Sequence, residues 1–175
     1  MPEAKRKTTA RKKTTTRKKA AAPRVLILLG SKSDLPVIEG MFPLLERFGL
    51  TCGVEIASAH RQPDKLGRIV RKNDKGGTEV FVAAAGMAAA LPGVVASMTG
   101  KPVIGVPVAA GPLQGVDALL SIVQMPPGVP VATVAVGSAG ARKAACLAAR
   151  MVALKDAKVA AAVETYRLEL ARGGK

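Results

Sequence analysis

Between residues 24 and 154 the apolar positions fall into short continuous runs. Each run is stopped by glycine or small polar residues and followed by a longer stretch of helical character. The first run, Val25-Leu26-Ile27-Leu28-Leu29, contains no polar position, which marks a strand buried on both faces of a parallel sheet. Gly30 stops it, Ser31 to Asp34 follow, and a helix is expected from about Leu35 to Phe48, with Pro36 in its first turn and Gly49 at its end. The unit then repeats. Strands are expected at about Thr51–Ala57, Glu79–Ala84, Val103–Val108 and Val131–Val136. The helices between and after them are expected from Pro63 to about Asn73–Gly77, towards Met98 with an interruption near Leu91-Pro92-Gly93, at Val116–Val123 and at Ala141–Leu154. A last helix, about Asp156–Ala171, carries acids and bases on its faces.

Five alternating units predict an α/β fold: one domain with a doubly wound, parallel five-stranded sheet in a three-layer sandwich of flavodoxin-like or Rossmann-like kind, with right-handed crossovers. The domain is expected over residues 24–155, the C-terminal helix over 156–175 is expected to pack on an oligomer, and residues 1–23 form a separate tail. Ligands of such sheets bind beyond the carboxyl ends of the strands. The loops after the strands therefore carry the candidate chemistry.

Composition sharpens this picture. Aromatic residues make up only 2% of the chain and Trp is absent, so Val, Ile, Leu and Ala must fill the interior, and further burial between subunits is expected. Cys52 and Cys146 lie far apart in apolar surroundings, with neither disulfide nor metal spacing, as suits free thiols in a reducing cytosol. No secretory segment and no apolar run of about 18 residues is present. A soluble, cytoplasmic protein without membrane contact is expected.

Charge sets the N-terminus apart. Residues 1 to 22 hold nine Lys and Arg against Glu3, a net +8, and the remaining eighteen cations and eleven acids leave +7. Basic triplets recur every six residues between Thr and Ala, and after Met1 and Pro2 the segment has no apolar residue larger than Ala to bury. Such a segment is expected to be disordered. It suits nonspecific contact with nucleic acid through counterion release. A solvated extension without a partner is the alternative; a mitochondrial presequence would need an apolar face that the segment lacks.

Candidate chemistry gathers in the loops after the first four strands. At Gly30 to Asp34, glycine permits close backbone approach, Ser31 and Ser33 offer hydroxyls, and the following helix presents free N–H groups, a combination that suits phosphate. Asp34 would repel phosphate and fits sugar hydroxyls better; capping of the helix by Ser33 or Asp34 is the plainer alternative. Ser58-Ala59-His60-Arg61 follows the second strand and holds the only histidine in the chain. An imidazole titrates near neutral pH, as a proton shuttle must, and the neighbouring arginine can fork onto phosphate. Ala85-Gly86-Met87 and Ala109 to Leu113 offer small residues able to close over a flat heterocycle, or simple turns. No Ser-His-Asp order, Walker lysine loop or His/Cys metal cluster is present. From the residues alone, the chain reads as an enzyme acting on a phosphorylated sugar with one acid–base histidine and no metal.

Gly30-Ser31-Lys32-Ser33-Asp34, Ser58-Ala59-His60-Arg61, Leu91-Pro92-Gly93, Pro102 to Pro107 and Leu120 to Pro126, in that order, resemble the motifs of the N5-carboxyaminoimidazole ribonucleotide mutase family, the catalytic subunit of bacterial phosphoribosylaminoimidazole carboxylase. The likeness spans about Arg24 to Met151. It implies a purine-biosynthetic isomerase that moves a carboxylate from the exocyclic N5 to ring carbon C4 without cofactor or metal, as an octamer. It also implies that His60 is the catalytic acid–base, that Ser31, Asp34 and Arg61 bind ribose and phosphate, and that Ser33, Ser58, Gly30, Ala59, Gly86 and Leu91 lie beside them. Two departures stand out. Many members carry Gly-Gly-Ala-Ala-His before Leu-Pro-Gly, where this chain has Gly86-Met87-Ala88-Ala89-Ala90, and the loop at Ala110-Gly111-Pro112-Leu113 lacks the usual Ser-Lys. Within this fold the runner-up is the related carboxylase that uses CO2 directly; outside it, a nucleic-acid-associated protein on an inactive scaffold.

Overall fold

A computed structural model describes residues 22–174. The expected disordered arm therefore lies, for residues 1–21, outside the described residues. Pro23 is already docked: its carbonyl accepts the Thr78 hydroxyl at 2.7 Å.

Five strands, β1 (Val25–Leu29), β2 (Cys52–Ile56), β3 (Val80–Gly86), β4 (Val103–Val108) and β5 (Ala132–Thr133), form one parallel sheet in the order β2-β1-β3-β4-β5. Every residue of β1 and β4 is buried, as their unbroken apolar runs predict. Helices cover both faces. On one side lie α1 (Leu35–Ile38), α2 (Phe42–Arg47) and α6 (Gly137–Ala153), packed on Val25, Ile27 and Leu29 and their neighbours in β3 and β4. On the other lie α3 (Pro63–Gly76), α4 (Leu91–Ala96) and α5 (Val116–Val123), packed on Leu26 and Leu28. The alternation of side chains along each strand thus feeds two separate cores. Five buried alanines, Ala141, Ala144, Ala145, Ala148 and Ala149, let α6 lie close to the sheet where larger side chains would hold it away.

The expected continuous first helix is broken. A 3₁₀ turn at Glu39–Met41 separates α1 from α2, because Pro43 has no N–H to donate and its ring would meet the carbonyl of Glu39. The fifth strand is two residues long rather than six. Val134 still donates to the Gly105 carbonyl at 3.1 Å, but Pro107, the next residue on that side of β4, has no N–H with which to extend the ladder. In α4 the Leu91-Pro92-Gly93 segment opens the helix rather than interrupting it, with Pro92 in the first turn. α6 starts at Gly137, a turn earlier than expected.

The last helix, α7 (Ala157–Ala171), is capped by Asp156, which accepts the N–H groups of Lys158 and Val159. It packs on α6 of its own chain: Val159 is buried, and Tyr166 meets Phe48 edge-on with ring centroids 5.4 Å apart. Arg24 joins this helix to the sheet by bridging Asp156 at 2.8 Å and Glu79. Burial of Glu79 alone would raise its pKa, but hydrogen bonds from Arg24 and Lys155 outweigh that and hold the carboxyl below its ordinary value.

Candidate active site

The strand order places the reversal of the chain between β1 and β3, since β1 connects outward to β2 and the chain then returns to β3 on the other side. Loops leaving two such strands diverge to opposite faces of the sheet and leave a crevice between them. The registers hold the strand ends level, with Leu29 opposite both Ile56 and Ala84, and Gly86 opposite Val108. A cavity of about 480 Å³ opens there. Its lining includes all ten residues singled out from the sequence: Gly30, Ser31, Ser33 and Asp34 after β1, Ser58, Ala59, His60 and Arg61 after β2, and Gly86 and Leu91 around the loop after β3.

Within the first loop the short side chains bond to one another. Ser31 N–H donates to Asp34 Oδ2 at 3.1 Å, Ser33 N–H donates to Ser31 Oγ at 3.3 Å, and the two hydroxyls lie 2.8 Å apart. This is a capping box on a single 3₁₀ turn, so the capping role and the lining role fall on the same residues. Burial pushes the Asp34 carboxyl above its ordinary pKa, and the hydrogen bonds from Ser31 and Ser33 offset this only in part. In the second loop Arg61 donates its backbone N–H and its Nε–H to Ser58 Oγ at 3.3 and 3.4 Å, which tethers the guanidinium beside the exposed His60. Leu91 is buried and forms part of the floor.

Gly86 and its surroundings position the far wall. A Cβ on Gly86 would lie 2.8 Å from Ala110 Cβ and 3.1 Å from the Val108 carbonyl oxygen, so only glycine lets the β3 and β4 loops come this close. Beyond it Met87 and Ala89 have φ of 54° and 33°, and Gln114 in the next loop has φ of 50°. Left-handed backbone costs a residue with a side chain about 1–2 kcal/mol. Backbone strain of this kind concentrates at functional sites. Among the described residues, no group of three His, Cys, Asp or Glu side chains is placed to hold a metal ion.

The sequence profile of the AIR carboxylase family matches residues 24–172. The chain belongs to the AIR carboxylase family. Among members of that family, the Thermotoga maritima protein named N5-carboxyaminoimidazole ribonucleotide mutase is 48% identical over 150 residues, 86% of this chain and 86% of its own length. The Methanocaldococcus jannaschii protein of the same name is 52% identical over 143 residues, 82% and 87% of the two chains. The Escherichia coli one is 45% identical over 144 residues, 82% and 85%. Among solved structures, the crystal structure of Treponema denticola PurE superposes with a TM-score of 0.78 at 29% identity, covering 85% of this chain and 92% of that one. The flavodoxin-like order of the five strands is thus the fold of an AIR carboxylase family member.

The two small-residue loops expected to close over a flat heterocycle contribute Ala85, Met87 and Ala110 to the lining, whereas Ala88 and Ala89, to which the sequence assigned no site role, also line the cavity together with Ala90. Their side chains carry no reactive group, and left-handed backbone at Met and Ala has no compositional signal.

The raised pKa of Asp34 has a direction that can be tested. A group with this shift is protonated at a higher pH than an ordinary aspartate, and the carboxylate accepts from ribose hydroxyls more strongly than the neutral acid, with both oxygens free of a proton. If Asp34 holds the ribose, as the resemblance implies, KM for a ribonucleotide substrate rises as pH falls, before an unperturbed Asp would titrate. In Asp34→Asn, KM should be higher throughout and that rise should be absent. A KM–pH profile unchanged by the substitution would remove Asp34 from ribose binding.

Proposed function

We propose that this protein converts N5-carboxyaminoimidazole ribonucleotide to 4-carboxy-5-aminoimidazole ribonucleotide in purine biosynthesis, with His60 carrying the proton. The observation that carries this reading is the meeting of the only histidine with Ser31, Asp34 and Arg61 in one cavity at the β1/β3 crevice. In the reaction the carbamate C–N bond breaks, CO2 leaves, and N5 takes a proton to become an amine. Electron density from that amine makes C4 nucleophilic; C4 then bonds to CO2 and loses its own proton. One proton is delivered to N5 and one is taken from C4, so a single imidazole can perform both transfers and return to its starting state. Arg61 binds the phosphate, Asp34 and Ser31 hold the ribose, and Ser33, Ser58 and the backbone of Gly30, Ala59 and Gly86 complete the pocket. None of these steps calls for a cofactor.

The direct carboxylase is separated from the mutase by the carbon source. A mutase should turn over the carbamate in buffer depleted of bicarbonate, and should turn over aminoimidazole ribonucleotide plus bicarbonate far more slowly. The reverse preference would assign the chain to direct carboxylation. The phosphate role has its own test: Arg61→Ala should weaken binding by about 1.5–3 kcal/mol, raising KM roughly ten- to hundredfold with a smaller effect on kcat. An unchanged KM would count against it.

Assembly as an octamer fits the surface. Leu113, Val116, Leu120 and Val123 recur at helical spacing along and just before α5, each more than half exposed. The free thiols of Cys52 and Cys146 suit a reducing cytoplasm, and among the described residues no helix is long and apolar enough to cross a membrane. The basic arm adds a nonspecific nucleic-acid contact. Retention on DNA should be indifferent to sequence and fall steeply between about 50 and 200 mM salt. Eight arms on one particle would strengthen it by avidity. Deleting residues 1–21 should abolish this retention and leave turnover intact. Equal retention by the two forms would show that the cations of the domain, not the arm, are responsible.

A further inference from the structure

We infer that Met87 is a lid over the active-site cavity, a positioning residue that keeps the CO2 released from N5 beside C4 until the new bond forms. The inference rests on the reaction proposed above.

Three observations converge on this residue. Its backbone sits at φ 54°, which glycine adopts without strain and methionine does not, so a side chain is held here against the local preference of the chain. The side chain is no part of either core: it is 58% exposed, yet it lines the cavity. And it lies against the next loop. A Cβ built on Gly111 would stand 3.9 Å from Met87 Cγ and 4.0 Å from Met87 Cε, so the thioether extends from the β3 loop to the β4 loop. Below it, Gly86 and Ala110 bring those two loops together.

No neighbour can substitute. Ala88, Ala89 and Ala90 complete the same loop but are too short to cover an opening, and Leu91 is fixed in the core. Methionine has three rotatable side-chain bonds and a polarizable sulfur, so it can swing aside for a ribonucleotide and settle over a flat ring. The chemistry asks for such a cover. Between the two bond changes the site holds a neutral, apolar molecule of three atoms that offers no strong hydrogen-bonding handle. Retention then depends on closing the exit and excluding water, which an apolar side chain does.

The test uses full-length protein with carbon-13 in the carbamate, in wild type, Met87→Gly and Met87→Leu. The readouts are label in the C4-carboxylated product and decarboxylated aminoimidazole ribonucleotide formed above the enzyme-free rate. Met87→Gly should melt at or above the wild-type temperature, because it relieves left-handed strain, and this separates a lost lid from a lost fold. It should also release the decarboxylated ribonucleotide about fivefold more often per product formed, and Met87→Leu should restore most of the retention. Equal release by wild type and Met87→Gly, or a Met87→Leu variant as leaky as Met87→Gly, would overturn the lid while leaving the reaction standing. A wild type that forms no C4-carboxylated product would overturn the reaction itself, and the lid with it.

Discussion

Replacing His60 with Asn is expected to leave the protein folded and able to bind a carboxylated aminoimidazole ribonucleotide, while turnover falls by about 10²–10⁴-fold. Asn has the size to keep a hydrogen bond to the substrate, but its amide neither takes up nor releases a proton at any pH the enzyme meets. The loss should be large because nothing stands behind His60. It is the only histidine in the chain, and Ala90, which lines the same cavity, offers no group that carries a proton. The fold should be indifferent, since His60 is exposed and belongs to neither core. Binding and turnover measured on the same preparation check the expectation. Activity within about threefold of wild type would be incompatible with general acid–base work by this residue.

The largest loss of stability is expected from Gly140→Ala. Gly140 lies buried in the first turn of α6, and a Cβ there would fall 1.6 Å from the carbonyl oxygen of Ala135 and 2.6 Å from its carbonyl carbon. Both are backbone atoms, so no rotamer change can make room. The start of α6 would have to lift from the β5 side of the sheet and carry with it the packing of Ala141 and Ala144. Forced overpacking of this kind should cost about 3 kcal/mol or more, on the order of 10 °C in Tm for a chain of this size. Gly100→Ala is the matched control, because a Cβ at that position meets nothing within 4 Å. Thermal unfolding of both variants at one protein concentration checks this; equal melting temperatures would show that the helix start is free to shift.

What the sequence revealed and what it concealed divide along physical lines. Continuous apolar runs such as Val25–Leu29 and Val103–Val108 announce fully buried strands, and their alternation with helices leaves few topologies. The loops follow from the strands, which is why the strand pattern alone brings the residues after β1 and β2 to one edge. The errors arose where a single residue acts through its backbone in three dimensions. Pro43 breaks the first helix, Pro107 ends the pairing of β5, and Gly140 reads as loop although it is the close-contact residue of a helix turn. Met87 belongs to a loop expected to close over a flat ring, but neither it nor Ala89 carries any sign of left-handed backbone in its identity.

The central claim is that this cavity moves a carboxylate from nitrogen to carbon. It is tested most directly by carbon-13 NMR of full-length protein mixed with substrate labelled in the carbamate, in bicarbonate-depleted buffer containing a chelator and no nucleoside triphosphate. The account predicts that the carbamate resonance is replaced by that of a carboxylate on C4, in wild type and not in His60→Asn. If the folded wild-type protein leaves the label to escape as bicarbonate at the enzyme-free rate, with no signal at C4, the account is contradicted.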